Sequence, residues 1–328
     1  MNRTSIVSVV VCLVLVAWSS TTLYAADPCN RACLEKHIDE VLAAMIARNP
    51  NQLMLARDAY YTENGVEMRL GDGLWGTLSA RGKYSLYVCD TESGQAGLYG
   101  TVSENGRLDY IALRVKVVES LISDIELIVA RPQDDMATFQ PPSTPSAGER
   151  MNALTPRAQF LQTVPSKEQM SRDRLIAVAN SYFMGLANNT GQFTAPFAPT
   201  CERWENGLHT TNQKPNPNLP KGVPDILCMS CEQQQKSGWF AFVTDIRNRR
   251  FPIVDTERGL VLSFAFFDHN AAVREYRMPD GSSSPNMLTY PITIQISELF
   301  QIREGKIDQI EAVISPAPYR MKSAVWDE

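Results

Sequence analysis

Residues Asp90–Gly94 read DTESG and residues Asp255–Gly259 read DTERG, so four of five letters agree across a gap of 165 residues. Turn chemistry recurs cheaply in any chain, and the flanks must decide whether the match means anything. TENG at Thr62–Gly65 is answered by WENG at Trp204–Gly207, and NPNQL at Asn49–Leu53 by NTGQF at Asn189–Phe193. ESLISDIELIV at Glu119–Val129 lines up with EGKIDQIEAVI at Glu304–Ile314, sharing Glu119/Glu304, Ile122/Ile307, Ile125/Ile310 and Glu126/Glu311. The echoes keep the same order and register, which is the signature of a plan used twice. The copies differ by insertion: Glu205 to Asp255 spans 50 residues against 27 for Glu63 to Asp90, and Asp255 to Glu304 spans 49 against 29. The inserted stretches are rich in Pro, Asn and Ser, as loops are, and long loops in compact domains tend to be functional.

Each copy opens on a helical period. Leu34, Ile38, Val41, Leu42, Met45 and Ile46 share one face before Asn49-Pro50, and Leu175, Ile176, Ala179, Tyr182, Phe183 and Leu186 share another after Ser171. Strand patterns follow. Ile292, Ile294 and Ile296 alternate with Thr293, Gln295 and Ser297, as in a half-buried strand. Helices first and long meandering strands after predict an α+β fold, with helices packed on one face of an antiparallel sheet.

The amino terminus carries Arg3, a 13-residue apolar run at Ile6–Trp18 and small residues at YAA, a pattern that reads as a secretory signal peptide over residues 1–26. The expected order is then a first domain at 27–131, a Pro-rich linker at 132–165 draped over the surface, and a second domain at 166–328 with two loop insertions. Secretion or a periplasmic location follows, with no membrane association after cleavage. Loss of Cys12 with the signal leaves six of seven cysteines: Cys29, Cys33, Cys89, Cys201, Cys228 and Cys231. An even count in an oxidising compartment reads as disulfides. Among 15 pairings, one bridge per copy is favoured: the first helix to Cys89, and Cys201 to the Cys228/Cys231 loop. CMSC lacks a second ligand pair at metal spacing, and His37, His209 and His269 complete no site, so no metal is expected. The formal charge of −5 becomes −6 without Arg3, which offers no electrostatic basis for binding nucleic acid or an anionic membrane.

The helix, the YTENG turn, the Trp-bearing GDGLWG segment and the strand-rich remainder resemble the nuclear-transport-factor-2-like (SnoaL-like) superfamily. NRRFPIVDTERGLVLSFAFFDH at Asn248–His269 is especially similar to its exported tandem-domain members, which mostly have no assigned activity. The resemblance covers residues 29–130 and 171–318. It implies two tandem cone-shaped domains, each with N-terminal helices on a curved sheet and a pocket at the wide end. Such scaffolds carry isomerases, dehydratases, cyclases and hydrolases as well as pure binding modules, so the fold leaves function open.

Pocket enzymes of this shape move protons with a carboxylate or His base and donors for the developing oxyanion. In the first copy Asp90, Glu92 and Asp109 read as solvated or turn-capping carboxylates, and GLYGTV is a small, glycine-rich strand; this copy is expected to be mainly structural and to buttress the other, or at most to hold a second binding site. In the second, Asp245, Arg247, Arg249, Arg250, Asp255 and Glu257 crowd one hairpin. They form either a solvated ion-pair ladder or a site in which one Arg turns inward to clamp a carboxylate or enolate. Val261, Ser263, Ala265, Phe267 and His269 share a face whose small members leave room for a ligand. The candidates are His269, Asp255 and Arg250 for catalysis, with Arg249, Asp245, His209, Tyr182 and Trp239 around the ligand. Glu63 and Glu205, which recur in both copies, read as turn or cap residues. Two functions remain open: a cofactor-free lyase, isomerase or dehydratase acting in the second domain, or a non-catalytic ligand-binding or structural module. A small organic ligand, apolar or carboxylate-bearing, and a second copy of the chain are the partners left open.

Overall fold

A computed structural model describes residues 29–134, 144–189, 193–219, 221, 224–277, 281–286, 288–323 and 325. The expected signal peptide lies outside the described residues. Among these, no helix is long and apolar enough to cross a membrane.

The first copy begins with α1 (Arg31–Ile46), capped by the Asn30 side chain, which accepts from the Cys33 amide. Its buried stripe, including Leu34, Ile38, Leu42 and Met45, lies on a sheet. That sheet holds β1 (Leu55–Glu63), β2 (Val66–Met68), β3 (Leu78–Asp90, after the short α2 at Leu74–Thr77), β4 (Gln95–Glu104), β5 (Arg107–Val118) and β6 (Leu121–Ala130), in the order β2-β1-β6-β5-β4-β3. Two short helices follow, α3 (Ala147–Asn152) and α4 (Ala158–Leu161).

The second copy repeats the first. Helix α5 (Arg172–Ala187), capped by Ser171, precedes β7 (Phe197–Glu205), β8 (Leu208–His209), α6 (Cys231–Lys236), β9 (Asp245–Asp255), β10 (Leu260–His269), the hairpin β11 (Glu275–Arg277) and β12 (Ser283–Pro285), β13 (Ile292–Arg303) and β14 (Lys306–Ala317). Its main sheet runs β8-β7-β14-β13-β10-β9, the same path strand for strand. The two tandem α+β domains have the expected plan. One correction concerns direction: β1 pairs parallel with β6 and β7 parallel with β14, so each sheet is mixed. The chain must cross the sheet to bring its first strand beside its last, and that crossing reverses the pairing sense.

The echoes in the sequence are turns that perform the same bonds twice. Asn64 and Asn206 both sit at φ 47. The amide of Asn64 brackets Val129, accepting from its N–H at 2.8 Å, and Asn206 does the same with Ile314 at 2.8 Å. Asp90 and Asp255 each accept from the amide three residues on, Ser93 and Arg258, at 3.1 Å.

Period-two alternation sends one face of each sheet to its own helix and the other to the opposite copy. Tyr99, Leu86 and Ile128 from the first sheet meet Leu262, Phe264 and Leu299 from the second in one shared apolar seam. Strand β10 is buried along all ten residues for this reason. The segment expected to drape over the surface is instead part of the seam where described. Ala147, Met151 and Phe160 are buried there, and a Cβ on Gly148 would meet the Leu108 carbonyl, so α3 lies directly on β5. Ion pairs tie the copies reciprocally. Arg31, the first residue of α1, binds Asp255 at 2.8 Å, and Arg172, the first residue of α5, binds Asp90 at 2.5 Å.

The cysteine expectations need correcting. Cys29 bonds Cys33 one helical turn away, while Cys89, Cys201, Cys228 and Cys231 are free thiols. Cys89 does reach the start of α1, with its sulfur 3.9 Å from the Arg31 carbonyl, but both helix cysteines are already paired with each other. Burial pushes its thiol up to about 12, which leaves it unreactive. Cys201 and Cys231 lie side by side between β7 and α6 without a bond. Cys29, Cys33 and His37 come within metal-ligand reach of one another, yet the disulfide occupies both sulfurs.

Candidate functional site

Ile294, Ile296 and Phe300 of β13 pack inward toward α5, and alternation places Glu298 on that same face. The strand pairings align Glu205, Ala312, Glu298 and Ser263 in one row across the sheet. Two small side chains therefore flank the glutamate. Glu298 is 0% exposed, and neither of its carboxyl oxygens has a hydrogen-bond partner. Burial pushes its carboxyl up to about 8, and Glu205 adds to the rise; Arg203 and Tyr182 pull the other way without prevailing. Glu298 is a neutral acid at neutral pH.

Two donors stand beside it. Tyr182 comes from the buried stripe of α5, where burial raises its hydroxyl well above the ordinary range and keeps it protonated. Arg203 projects from β7 and is held by Gln234 of α6 at 2.5 Å and by Thr210 at 3.1 Å. Burial opposes its charge, but Glu205, Tyr182 and Cys231 outweigh that and keep the guanidinium ionised. Glu205 meets Arg203 at 3.5 Å and is about a quarter exposed, so it can reach solvent and ligand.

The structure brings together only part of the expected set. Tyr182 is in this cluster. His269 lies 1% exposed at the end of β10, with Nδ1 at 2.8 Å from the Phe242 carbonyl and Nε2 at 2.8 Å from the Leu288 carbonyl. It joins the segments that carry Phe242 and Leu288. Trp239 and Phe242 pack with Ile226 and Val273, so the two insertions close on each other at that end. Arg250 and Asp255 belong to the seam: Arg250 binds Glu126 of the first copy at 2.5 Å and stacks over Phe264, and Asp255 binds Arg31. Their partners lie in the other copy, which is why a local reading of the hairpin placed them at a site. Asp245 pairs with Arg320 at 3.5 Å on the surface. His209 stacks on Trp204 with ring centroids 4.8 Å apart, and burial pulls its imidazole down. Arg249 remains on the cone side of β9.

The first copy is not bare of inward charge. Glu63, Glu104, Asp109 and Arg131 meet at the ends of β1, β4, β5 and β6. Arg131 reaches Glu104 at 2.6 Å and Glu63 at 2.7 Å; Tyr61 and the Leu74 amide complete Glu63, and Thr77 completes Glu104. Asp109, expected to be solvated, is 1% exposed. Burial and its contact with Glu104 push it up to about 8, while Arg131 and Thr77 overcome burial to hold Glu104 at about 2. Glu63, Glu104 and Arg131 tie the strand ends together, and Asp109 lies buried against Glu104 with its Oδ2 unpartnered. Glu63 is thus a cap, as expected, but Glu205 has shed those partners.

Glu298, Arg203 and Glu205 are the candidate residues of this cluster that sequence reasoning did not place at a site. A signal existed for the first: it occupies the next inward position after Ile292, Ile294 and Ile296, where a carboxylate interrupts an apolar face.

A family model described as Domain of unknown function (DUF8021) matches residues 168–314, which is the second copy. No curated protein matches the chain in sequence. Solved structures with detectable likeness include AusH from Aspergillus nidulans, 14% identical over 44% of this chain and 86% of that one, with a TM-score of 0.28. A de novo designed protein with a curved β-sheet is 15% identical over 44% and 88%, TM-score 0.25. AclR from Streptomyces galilaeus is 11% identical over 44% and 91%, TM-score 0.25.

Proposed function

We propose that this is an exported small-molecule pocket protein whose second copy transfers protons without a cofactor, as a lyase or isomerase. One observation carries the reading: a fully buried glutamate with two unpartnered carboxyl oxygens and a carboxyl raised to about 8. A structural glutamate would be paired, as Glu126 is with Arg114 and Arg250. An unpaired one costs stability, and such groups collect where chemistry needs them. Glu298 is the proton donor at neutral pH. Glu205, across Ala312 and about 10 Å away in backbone terms, accepts the second proton. Tyr182 and Arg203 donate to the oxygen on which negative charge develops. Removal of a proton by one carboxylate and delivery by the other describes both elimination of water and a double-bond shift.

The test incubates the full chain with a panel of small oxo- and hydroxy-compounds in D2O and follows deuterium uptake and loss of water by NMR. Glu298→Gln should lower any turnover by ~10²–10⁴-fold with the fold intact, the range expected for a lost acid–base group. Turnover that persists unchanged in that variant ends the proposal.

A further inference from the structure

The bulge in β9 re-aims one arginine. Arg247 and Arg250 both face the seam, stacked over Phe266 and Phe264. Between them Asn248 takes φ 53, and the pairing with β10 slips at this point. A β-bulge adds one residue and redirects its neighbours. Phe251 then packs inward on Phe183, and Ile246 also packs inward. Arg249, two residues before Phe251, shares that inner face. It is half-buried, and its one hydrogen bond among the described residues goes from Nε to the Ile246 carbonyl at 3.2 Å. No carboxylate stands within ion-pair distance of it among the described residues. Asp245, the nearest acid on its own strand, is engaged by Arg320.

The other arginines of β7 and β9 differ. Arg203, Arg247 and Arg250 each hold a carboxylate. Burying a guanidinium without an anion is costly, and burial accordingly lowers the Arg249 pKa with only Asp245 opposing it. Its forked donors fit a carboxylate in two parallel hydrogen bonds. The bulge sets Arg249 across from Ala265, between the pairs Arg250–Phe264 and Arg247–Phe266, and Ala265 pairs with Ile296; Glu298 lies one inward row further on and two strands across. That is roughly 11 Å of sheet, within which the side chain's own reach covers about half. Ala265 and Ser263 keep the space between them low.

We propose that Arg249 is an anion-binding subsite, so that the ligand of the second copy is a small carboxylate held by Arg249 at one end and presented to Glu298 at the other. This rests on the reading of Glu298 as the proton-transfer group. A neutral Glu298 suits such a ligand, because an ionised one would repel it.

The test uses benzoate and its neutral isostere benzamide as probes, titrated calorimetrically into the full-length mature protein. Benzoate should bind saturably, weaken at least tenfold in Arg249→Gln, and weaken by less in Arg249→Lys, which keeps the charge and loses the fork. Benzamide should bind no better to the wild type than to Arg249→Gln. Absence of benzoate binding, or equal binding by a folded Arg249→Gln, overturns the subsite; if Arg249→Gln does not fold, Arg249→Met replaces it. Benzoate binding that depends on Arg249 while Glu298→Gln leaves turnover intact would retain the subsite and discard the proton-transfer reading. The reverse pattern would do the opposite.

Discussion

Glu298 shows what a single buried carboxyl does to the whole chain. Between the ordinary glutamate range and pH of about 8, the folded protein holds a proton that the unfolded chain has released. Stability therefore falls as pH rises through that window. At ~1.4 kcal/mol per pKa unit the loss is on the order of a few kcal/mol. Glu298→Gln removes the titration, so its gain in melting temperature should be larger at pH 8 than at pH 5, measured by differential scanning calorimetry. An equal shift at both pH values would show that the carboxyl is ionised in the folded state. Asp109 has the same sign and the same upper bound near pH 8, so part of the slope survives until Asp109→Asn is added.

At the scale of elements, strands and helices were legible because their periods are local. The Ser171 cap and the α1 and α5 stripes stand in the sequence as they do in the structure. β13 alternates its faces as read but is not half-buried, because Thr293, Gln295 and Ser297 are covered as well. The seam was not legible. Arg250 and its partner Glu126 are 124 residues apart, and no periodicity links them. A trace did exist in LVLSFAFFDH, since a strand with one wet face would not be apolar at consecutive positions. Glycine was also misread. Gly97 makes the first copy's strand look plain, but a Cβ there would come within 2.7 Å of Leu262 and 3.0 Å of Ile253 in the other copy. It is small because two sheets touch over it. Gly97→Val should lower stability by ~1–3 kcal/mol in denaturant melts, as overpacking does. A silent substitution would mean that the sheets stand further apart.

The whole molecule is a pair of like halves fastened by matching contacts. Arg31–Asp255 and Arg172–Asp90 exchange the first residue of each long helix. The duplicated glutamates, Glu126 and Glu311, lie buried in the seam. Glu126 takes two arginines, and Glu311 takes Tyr84, Tyr110 and Arg157. Changes at Asp90, read from the sequence as a solvated or turn-capping carboxylate, should instead loosen this seam. The fastening should not depend on chain continuity. A protease site placed within residues 135–143 and cut should leave the halves co-eluting on size exclusion. An isolated second copy should self-associate through Ile253, Leu262, Phe264, Phe266, Leu299 and Val313, all buried in the intact chain. A monodisperse, monomeric second copy would refute this.

The seam also sets a clock. Ribosomes deliver ~5–20 residues per second, so the 186 residues from Pro132 to Ala317 take roughly 10 to 40 s. Throughout that interval the first copy can close on its own helix, but its outer sheet face has nothing to cover it, and Asp90 and Glu126 wait without Arg172 and Arg250. The earlier half of this chain is born before its complement, and its survival in the meantime rests on whatever receives the nascent polypeptide.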